Sequence, residues 1–388
     1  MKKLHLALDM SNLSSGGSIS VLLRYMRYWH ECGLEMTVYY SRRLIREEIE
    51  RSALPVKLVE VGRGFPTWKI FLFRCFKLGK LIRRDGADLV YCVNSVLLLC
   101  SVPQVVHMRN LQHFVEPSYW RQFLRGGLYE VLRDWVCRYS VRHADCCVYV
   151  SDYLKNAATQ WQTRRNRQLV IHNPVSEELS ERAERRSGEN NFDRSLVVGV
   201  FNDYPHKDAP TFFRTLAELA ARRPECGWRA VVVGNGEWRR NYGKLLAELK
   251  IEDRVEFPGY IPADKIAFCY AQAFCMMSTS RLESFNNTPL EAMALGCPAV
   301  ISDCCAHREV AGDAALFVSP GSAGEFADAI LRLKQDRELY DEMRERGFAR
   351  VKNFRQKVSG RKFVEVFEDV ADESTRSGGR GVPPRPGR

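Results

Sequence analysis

No two of the thirteen cysteines form a Cys-x-x-Cys pair, and their number is odd. That argues against a zinc or dithiol site and against a disulfide framework. Cys92, Cys100 and Cys275 lie in apolar runs, where a free thiol behaves as a small hydrophobe, so reduced core cysteines in a reducing compartment are expected. The chain also lacks Asp-x-Asp, which leaves a metal clamp of that type without ligands. Neither Gly-x-Gly-x-x-Gly nor Gly-x4-Gly-Lys-Ser/Thr occurs, which removes the dinucleotide fingerprint and the P-loop. Long hydrophobic runs are missing too. The most apolar stretch, Leu89 to Val106, is broken by Asn94 and Pro103, and a spanning helix needs about 20 apolar residues. Met1-Lys2-Lys3-Leu4-His5 passes straight into a strand-like pattern with no signal-peptide core. A cytoplasmic protein is expected.

What is present is a chain of 388 residues, 45% hydrophobic and 27% charged, the balance of a soluble globular protein. At roughly 150 residues per domain, that length points to two domains. The net charge of +11 is unevenly placed, because residues 1–190 carry 29 Lys+Arg against 19 Asp+Glu, and residues 191–388 carry 29 against 28. The densest part, Arg63 to Arg84, holds Arg63, Lys69, Arg74, Lys77, Lys80, Arg83 and Arg84 without one acid, among Phe65, Trp68, Phe71, Phe73 and Phe76. A basic helix with aromatic residues reads either as an anionic membrane-surface element or as a surface helix with a core-facing aromatic stripe. Nucleic acid ranks below both, since no zinc, RRM or basic-arm motif accompanies the charge.

Along the chain, short apolar runs alternate with helical periodicity. Strand candidates are Leu4–Leu8, Met36–Tyr40, Lys57–Val61, Leu89–Val93, Val105–Met108, Cys146–Val150 and Leu169–Ile171. After a polar stretch they resume at Leu196–Val200, Ala230–Val233, Val255–Phe257, Phe274–Met277, Ala299–Ile301 and Leu316–Val318. Such alternation predicts parallel sheets with buried strands. The expected class is therefore α/β, with two doubly wound Rossmann-like domains facing across a cleft. Expected boundaries are 1–175 for the first domain, 176–194 for a linker, 195–352 for the second domain, 353–373 for a C-terminal helix and 374–388 for a disordered tail.

The most informative stretch runs from Arg281 to Asp303. Thr288 fits an N-cap, Pro289 the first helical position, and Glu291 completes a Thr-x-x-Glu capping box. Gly296 then closes the helix. The helix amino end would face a loop at a strand's carboxyl end, a natural anion site. Capping alone accounts for Glu291, whereas Glu283 precedes the helix and has no such role.

Glu283-x7-Glu291, followed by Ala-Met-Ala-Leu-Gly296-Cys-Pro298, resembles the signature of the GT-B glycosyltransferases of family 4, retaining enzymes that use nucleotide sugars. The resemblance covers essentially the whole chain except the tail. It implies that Glu283 bonds hydroxyls of the transferred sugar and that Glu291 holds the nucleotide ribose. Ser284, Phe285, Asn286, Asn287 and Thr288 would line the donor between them. Lys207 matches the lysine that neutralises the diphosphate, and Asn202 stands where relatives usually carry an arginine. Gly16 and Gly17, the Gly234-Asn235-Gly236 turn and Tyr260 after Gly259 would complete the donor pocket.

On the acceptor side, the segment His107-Met108-Arg109-Asn110 follows a strand. Aligned on the strand, the family's sugar-contacting histidine is His107; aligned on the polar pair, Arg109 takes its place. Neither a metal nor a cofactor is implied. The implied reaction moves a sugar from a nucleotide-diphosphate donor to a glycan or lipid-linked acceptor, with an anionic membrane surface met through Arg63–Arg84 as a further partner. A nucleotide-sugar 2-epimerase and a non-catalytic nucleotide-sugar-binding protein are the alternatives.

Overall fold

Buried apolar runs become parallel strands in the computed structural model, which describes residues 3–13, 16–115, 128–162, 166–185 and 193–377. The chain divides into two units, one of Met1–Pro174 with Gln356–Arg388 and the other of Val175–Arg355.

The first unit holds β1 (His5–Asp9), β2 (Glu35–Tyr40), β3 (Lys57–Glu60), β4 (Leu89–Val93), β5 (Gln104–Met108), β6 (Cys146–Tyr149) and β7 (Arg167–Val170). They form one parallel sheet ordered β3-β2-β1-β4-β5-β6-β7. Every residue of β4 and β5 is buried, as helices on both sheet faces require. The helix Gly16–Glu31 buries Val21, Leu22, Tyr25, Met26 and Trp29 against this sheet. Its Tyr25 and Trp29, one turn apart, stack with ring centroids 5.6 Å apart. The C-terminal helix Gln356–Ser377 closes the same core with Phe363, Val366, Phe367 and Val370. Each such side chain contributes about 1.5–3 kcal/mol by leaving water.

The second unit repeats the plan with β8 (Asp193–Val200), β9 (Arg229–Val233), β10 (Val255–Gly259), β11 (Ala273–Ser278), β12 (Ala299–Ser302) and β13 (Ala315–Val318), ordered β10-β9-β8-β11-β12-β13. All pairs are parallel. Phe212, Phe213, Leu216, Trp228 and Phe274 fill its core. The thirteen cysteines are all free.

Two sequence expectations need correcting. The polar stretch expected to be a linker from residue 176 begins with a helix, Glu177–Glu184. Ser176 caps it, its hydroxyl oxygen accepting from the Leu179 N–H, and Glu177 and Glu178 sit in the first turn, where the helix dipole favours acids. It buries Ser180 and Ala183 within the second unit; residues 186–192 lie outside the described residues. The tail expected to be disordered from 374 stays helical to Ser377, and 378–388 lie outside the described residues.

Candidate active site

In the second sheet the strand order reverses between β8 and β11. Ligands of open parallel sheets bind beyond the carboxyl ends of strands at such a reversal. The loops leaving those ends, 201–208 and 279–287, are stitched together. The Arg281 backbone N–H donates to the His206 carbonyl at 2.7 Å, and the Thr279 hydroxyl to the Lys207 and Asp208 carbonyls at 3.1 and 3.0 Å. Arg281 Nε donates to Asp208 Oδ2 at 2.7 Å, and the same carboxylate oxygen accepts from Thr211 Oγ1 at 2.8 Å. This binding holds Asp208 in the left-handed region, with φ 51° and ψ 52°, so the loop turns sharply into the helix Ala209–Arg222. Across the seam Lys207 Nζ meets Glu283 Oε1 at 2.6 Å, with 20% of the lysine side chain and 9% of the glutamate side chain exposed.

Burial alone would push the Glu283 carboxyl up, but Lys207 and then His307, with hydrogen bonds from Lys207 and Ser280, hold it below the usual carboxylate range. Glu283 is thus an anion at neutral pH. Burial, reinforced by Lys207, drives His206 down to about 4. His307 is also lowered, chiefly by burial. Its hydrogen bonds suit a neutral ring, with Nδ1–H donating to the Ser302 carbonyl at 2.6 Å and Nε2 accepting from Asn286 Nδ2 at 2.9 Å. The two histidines therefore add no charge, and the local cations are Lys207 and Arg281.

The other predicted donor residues are placed unevenly. Asn202 uses its Oδ1 to accept from the Asn235 N–H at 2.9 Å, so it shapes the Gly234–Gly236 turn where an arginine would supply charge. Gly234 is required there, because its φ is 148° and a Cβ would lie 2.0 Å from the Phe201 carbonyl oxygen. A Cβ on Gly236 would meet Asp203 at 2.6 Å. Tyr260 stands well exposed after β10. Ser284 and Glu291 are half-buried on either side of the start of the helix Thr288–Ala294. Asn287 Oδ1 is buried without a protein hydrogen-bond partner.

Two of these expectations change. The N-cap position falls on Asn287, not Thr288, whose hydroxyl instead donates to Asn286 Oδ1 at 2.8 Å. The capping box is absent because Asn286, at φ 69°, turns back to take that hydroxyl. The Phe285 ring is 2% exposed and packs edge-on against Phe354, which makes it a core residue.

On the first unit, Gly16 and Gly17 open the helix Gly16–Glu31, while Ser14 and Ser15 before them lie outside the described residues. Arg109 follows β5, and its guanidinium donates to the Ser18 carbonyl at 3.1 Å, next to those glycines. Its backbone N–H donates to Asn94 Oδ1 at 2.7 Å. His107 takes a different place. It is fully buried within β5, bonded to the Tyr91 hydroxyl at 2.5 Å and packed against Phe363 at 5.1 Å. Burial keeps it neutral, well below the usual histidine range. Of the two alignments, only Arg109 is brought to the loops at the strand ends.

Sequence reasoning missed the Arg281–Asp208 bridge and the His307 contact with Asn286. Their partners are 73 and 21 residues apart, and no local spacing signals them. It also took Arg74 for a surface cation, whereas Arg74 is 2% exposed. Its guanidinium bonds Asp9 Oδ2 through Nε at 2.7 Å and Ser95 Oγ through Nη1 at 3.0 Å.

Comparison with known proteins follows the same division. Residues 15–179 match the model described as Glycosyltransferase Family 4, and residues 180–350 the one described as Glycosyl transferases group 1. The chain belongs to the GT-B group 1 glycosyltransferases. Among curated relatives of this family, the O-antigen chain mannosyltransferase RfbU of Salmonella typhimurium is 23% identical over 243 residues, 61% of this chain and 65% of that protein. The lipopolysaccharide core biosynthesis glycosyltransferase LpsE of Rhizobium meliloti is 35% identical over 137 residues, 35% of this chain and 39% of that one. The match thus spans less than two thirds of these relatives' length. Among solved structures, Anabaena HepE in complex with UDP-glucose superposes with a TM-score of 0.70 at 17% identity, covering 94% of this chain and 100% of that one.

Proposed function

We propose that this protein transfers a hexose from a nucleoside-diphosphate sugar to an acceptor hydroxyl with retention of anomeric configuration. The acceptor would be a glycan or lipid-linked precursor of a cell-surface polymer at the cytoplasmic face of a membrane. The observation that carries the reading is the Lys207–Glu283 pair, a cation and an anion joined at 2.6 Å at the sheet's reversal point.

The chemistry follows from their charges. A leaving diphosphate gains negative charge as the glycosidic bond breaks, and a fixed cation in a partly desolvated place stabilises that change. Lys207 supplies the cation, with Arg281 on the joined loop as a second positive group. When the diphosphate takes Lys207, Glu283 is released to accept hydrogen bonds from sugar hydroxyls and to face the positive charge developing on the sugar ring. Asn287 Oδ1, buried and without a protein partner, is available to accept from a donor hydroxyl. Arg109, beside the start of the Gly16–Glu31 helix, is the acceptor-side candidate. The relatives named for O-antigen chain and lipopolysaccharide core assembly support a cell-surface acceptor, and the likeness to a UDP-glucose complex supports the donor class.

A thermal-shift panel of nucleotide sugars identifies the donor, since a ligand that binds only the folded state raises the melting temperature. With that donor, Glu283→Gln is expected to cut sugar transfer by about 10²–10³-fold, the scale of losing one preorganised transition-state hydrogen bond. Transfer at the wild-type rate in Glu283→Gln would remove this residue, and the reading built on it.

A further inference from the structure

The helical stretch Thr67–Phe73, Arg74–Leu78 and Gly79–Arg84 carries two apolar stripes where a core needs one. The inward stripe is Phe71, Cys75, Leu78 and Ile82, all buried, with the Arg74 side chain buried beside them. Arg74 is fixed to Asp9 and Ser95, and Gly79 lies so close to Leu99 that a Cβ would come 2.4 Å from its carbonyl oxygen. This element is therefore held firmly by its inner face.

A second, outer stripe of Trp68, Leu72 and Phe76, spaced four residues apart, is extended by Phe65 just before the helix. All four are exposed, Trp68 at 51% and Phe76 at 49%. The exposed cations Lys69, Lys77, Lys80, Arg83 and Arg84 border them, and no acid lies between Arg63 and Arg84. The neighbouring helix Leu128–His143, packed on this one through Phe71, Cys75 and Val136, exposes Val131, Leu132 and Trp135 as well.

We propose that this face seats the protein on a bilayer rich in anionic lipid, with the rings entering the headgroup boundary and the cations on the phosphates. Lysine is depleted in protein–protein interfaces, whereas rings flanked by lysine and arginine match the chemistry of an anionic leaflet. Among the described residues no helix is long and apolar enough to cross a membrane, so this is a seat on the surface. The inward side of the same helix holds Asp9 at the carboxyl end of β1, so the seat is rigidly tied to the strand ends of the first sheet.

The test is co-sedimentation of the full chain with phosphatidylglycerol–phosphatidylcholine vesicles and with phosphatidylcholine alone. Wild type should bind the anionic vesicles far more tightly, and Lys69→Gln/Lys77→Gln/Lys80→Gln should lose about a hundredfold, since each surface cation contributes about fivefold. Trp68→Ser/Leu72→Ser/Phe76→Ser, whose side chains are exposed and whose circular dichroism should match wild type, should lose binding at least as strongly. Equal binding of wild type to both vesicle types, or unchanged binding in both variants, overturns the proposal. So does concentration-dependent dimerisation that the serine variant abolishes, because the face would then belong to a second copy. Release of nucleoside diphosphate from soluble donor should be the same in these variants. The seat and the transferase reading therefore fail separately.

Discussion

Each unit places an ion pair where its strand order reverses, and the two pairs differ in what surrounds them. In the first unit Arg74 and Asp9 lie between β1 and β4, with side chains 2% and 0% exposed and Ser95 and Ser11 taking further hydrogen bonds. In the second, Lys207 and Glu283 lie between β8 and β11, more open and joined by one contact. Topology alone predicts a ligand site at both places. The side chains distinguish them: a buried, fully bonded arginine locks the first pair, whereas the proposed function needs the lysine of the more exposed second pair to exchange partners.

Breaking the buried pair of the first unit should have the largest effect on folding. Arg74→Met leaves Asp9 buried without its counter-charge and is expected to cost about 3–5 kcal/mol in denaturant unfolding, with much of it recovered on adding Asp9→Asn. A loss below about 1 kcal/mol would mean that water reaches this pair and that the contrast between the units is false. Glu283→Gln sets the opposite pattern, a large loss of transfer with little loss of stability.

A smaller effect sharpens the comparison through pH. His206, held to about 4 by burial beside Lys207, binds a proton more weakly in the folded chain than in the unfolded one, whose histidine titrates near 6.5. Its contribution to stability is fully present above pH 6.5 and is lost as pH falls through 4, by up to roughly 3 kcal/mol. Glu283, also lowered, loses its contribution further into acid. Calorimetry should show the second unit's melting temperature falling over that window, and His206→Phe, which keeps the ring stack on Tyr204, should flatten the fall. Identical profiles for the two proteins would place His206 in water.

Much of this was legible in the sequence, for definite reasons. Strands such as Leu89–Val93 and Ala273–Ser278 are buried on both faces and therefore read as unbroken apolar runs. Lys207 and Glu283 each close a loop after such a run. What failed were properties set by distant partners. His107 was one of two candidates for a sugar contact, but Phe363, more than 250 residues later, packs over it. Arg74 sat among surface cations, but Asp9, 65 residues earlier, turns it inward. Thr288 had the right spacing for a capping box, and a left-handed Asn286 redirected its hydroxyl. The polar run after Ser176 was too poor in apolar residues to announce a helix, and its cap and first-turn glutamates carried the signal instead.

The central claim is that Lys207 exchanges Glu283 for the donor's diphosphate. Calorimetric titration of wild type and Lys207→Ala with the nucleoside diphosphate and the monophosphate of the donor base tests it most directly. The diphosphate should bind the variant at least about tenfold more weakly, the value of one charge-assisted contact of roughly 1.5 kcal/mol or more, while the monophosphate binds both alike. Equal diphosphate affinity in the two proteins, or an equal loss for both nucleotides, would contradict the account.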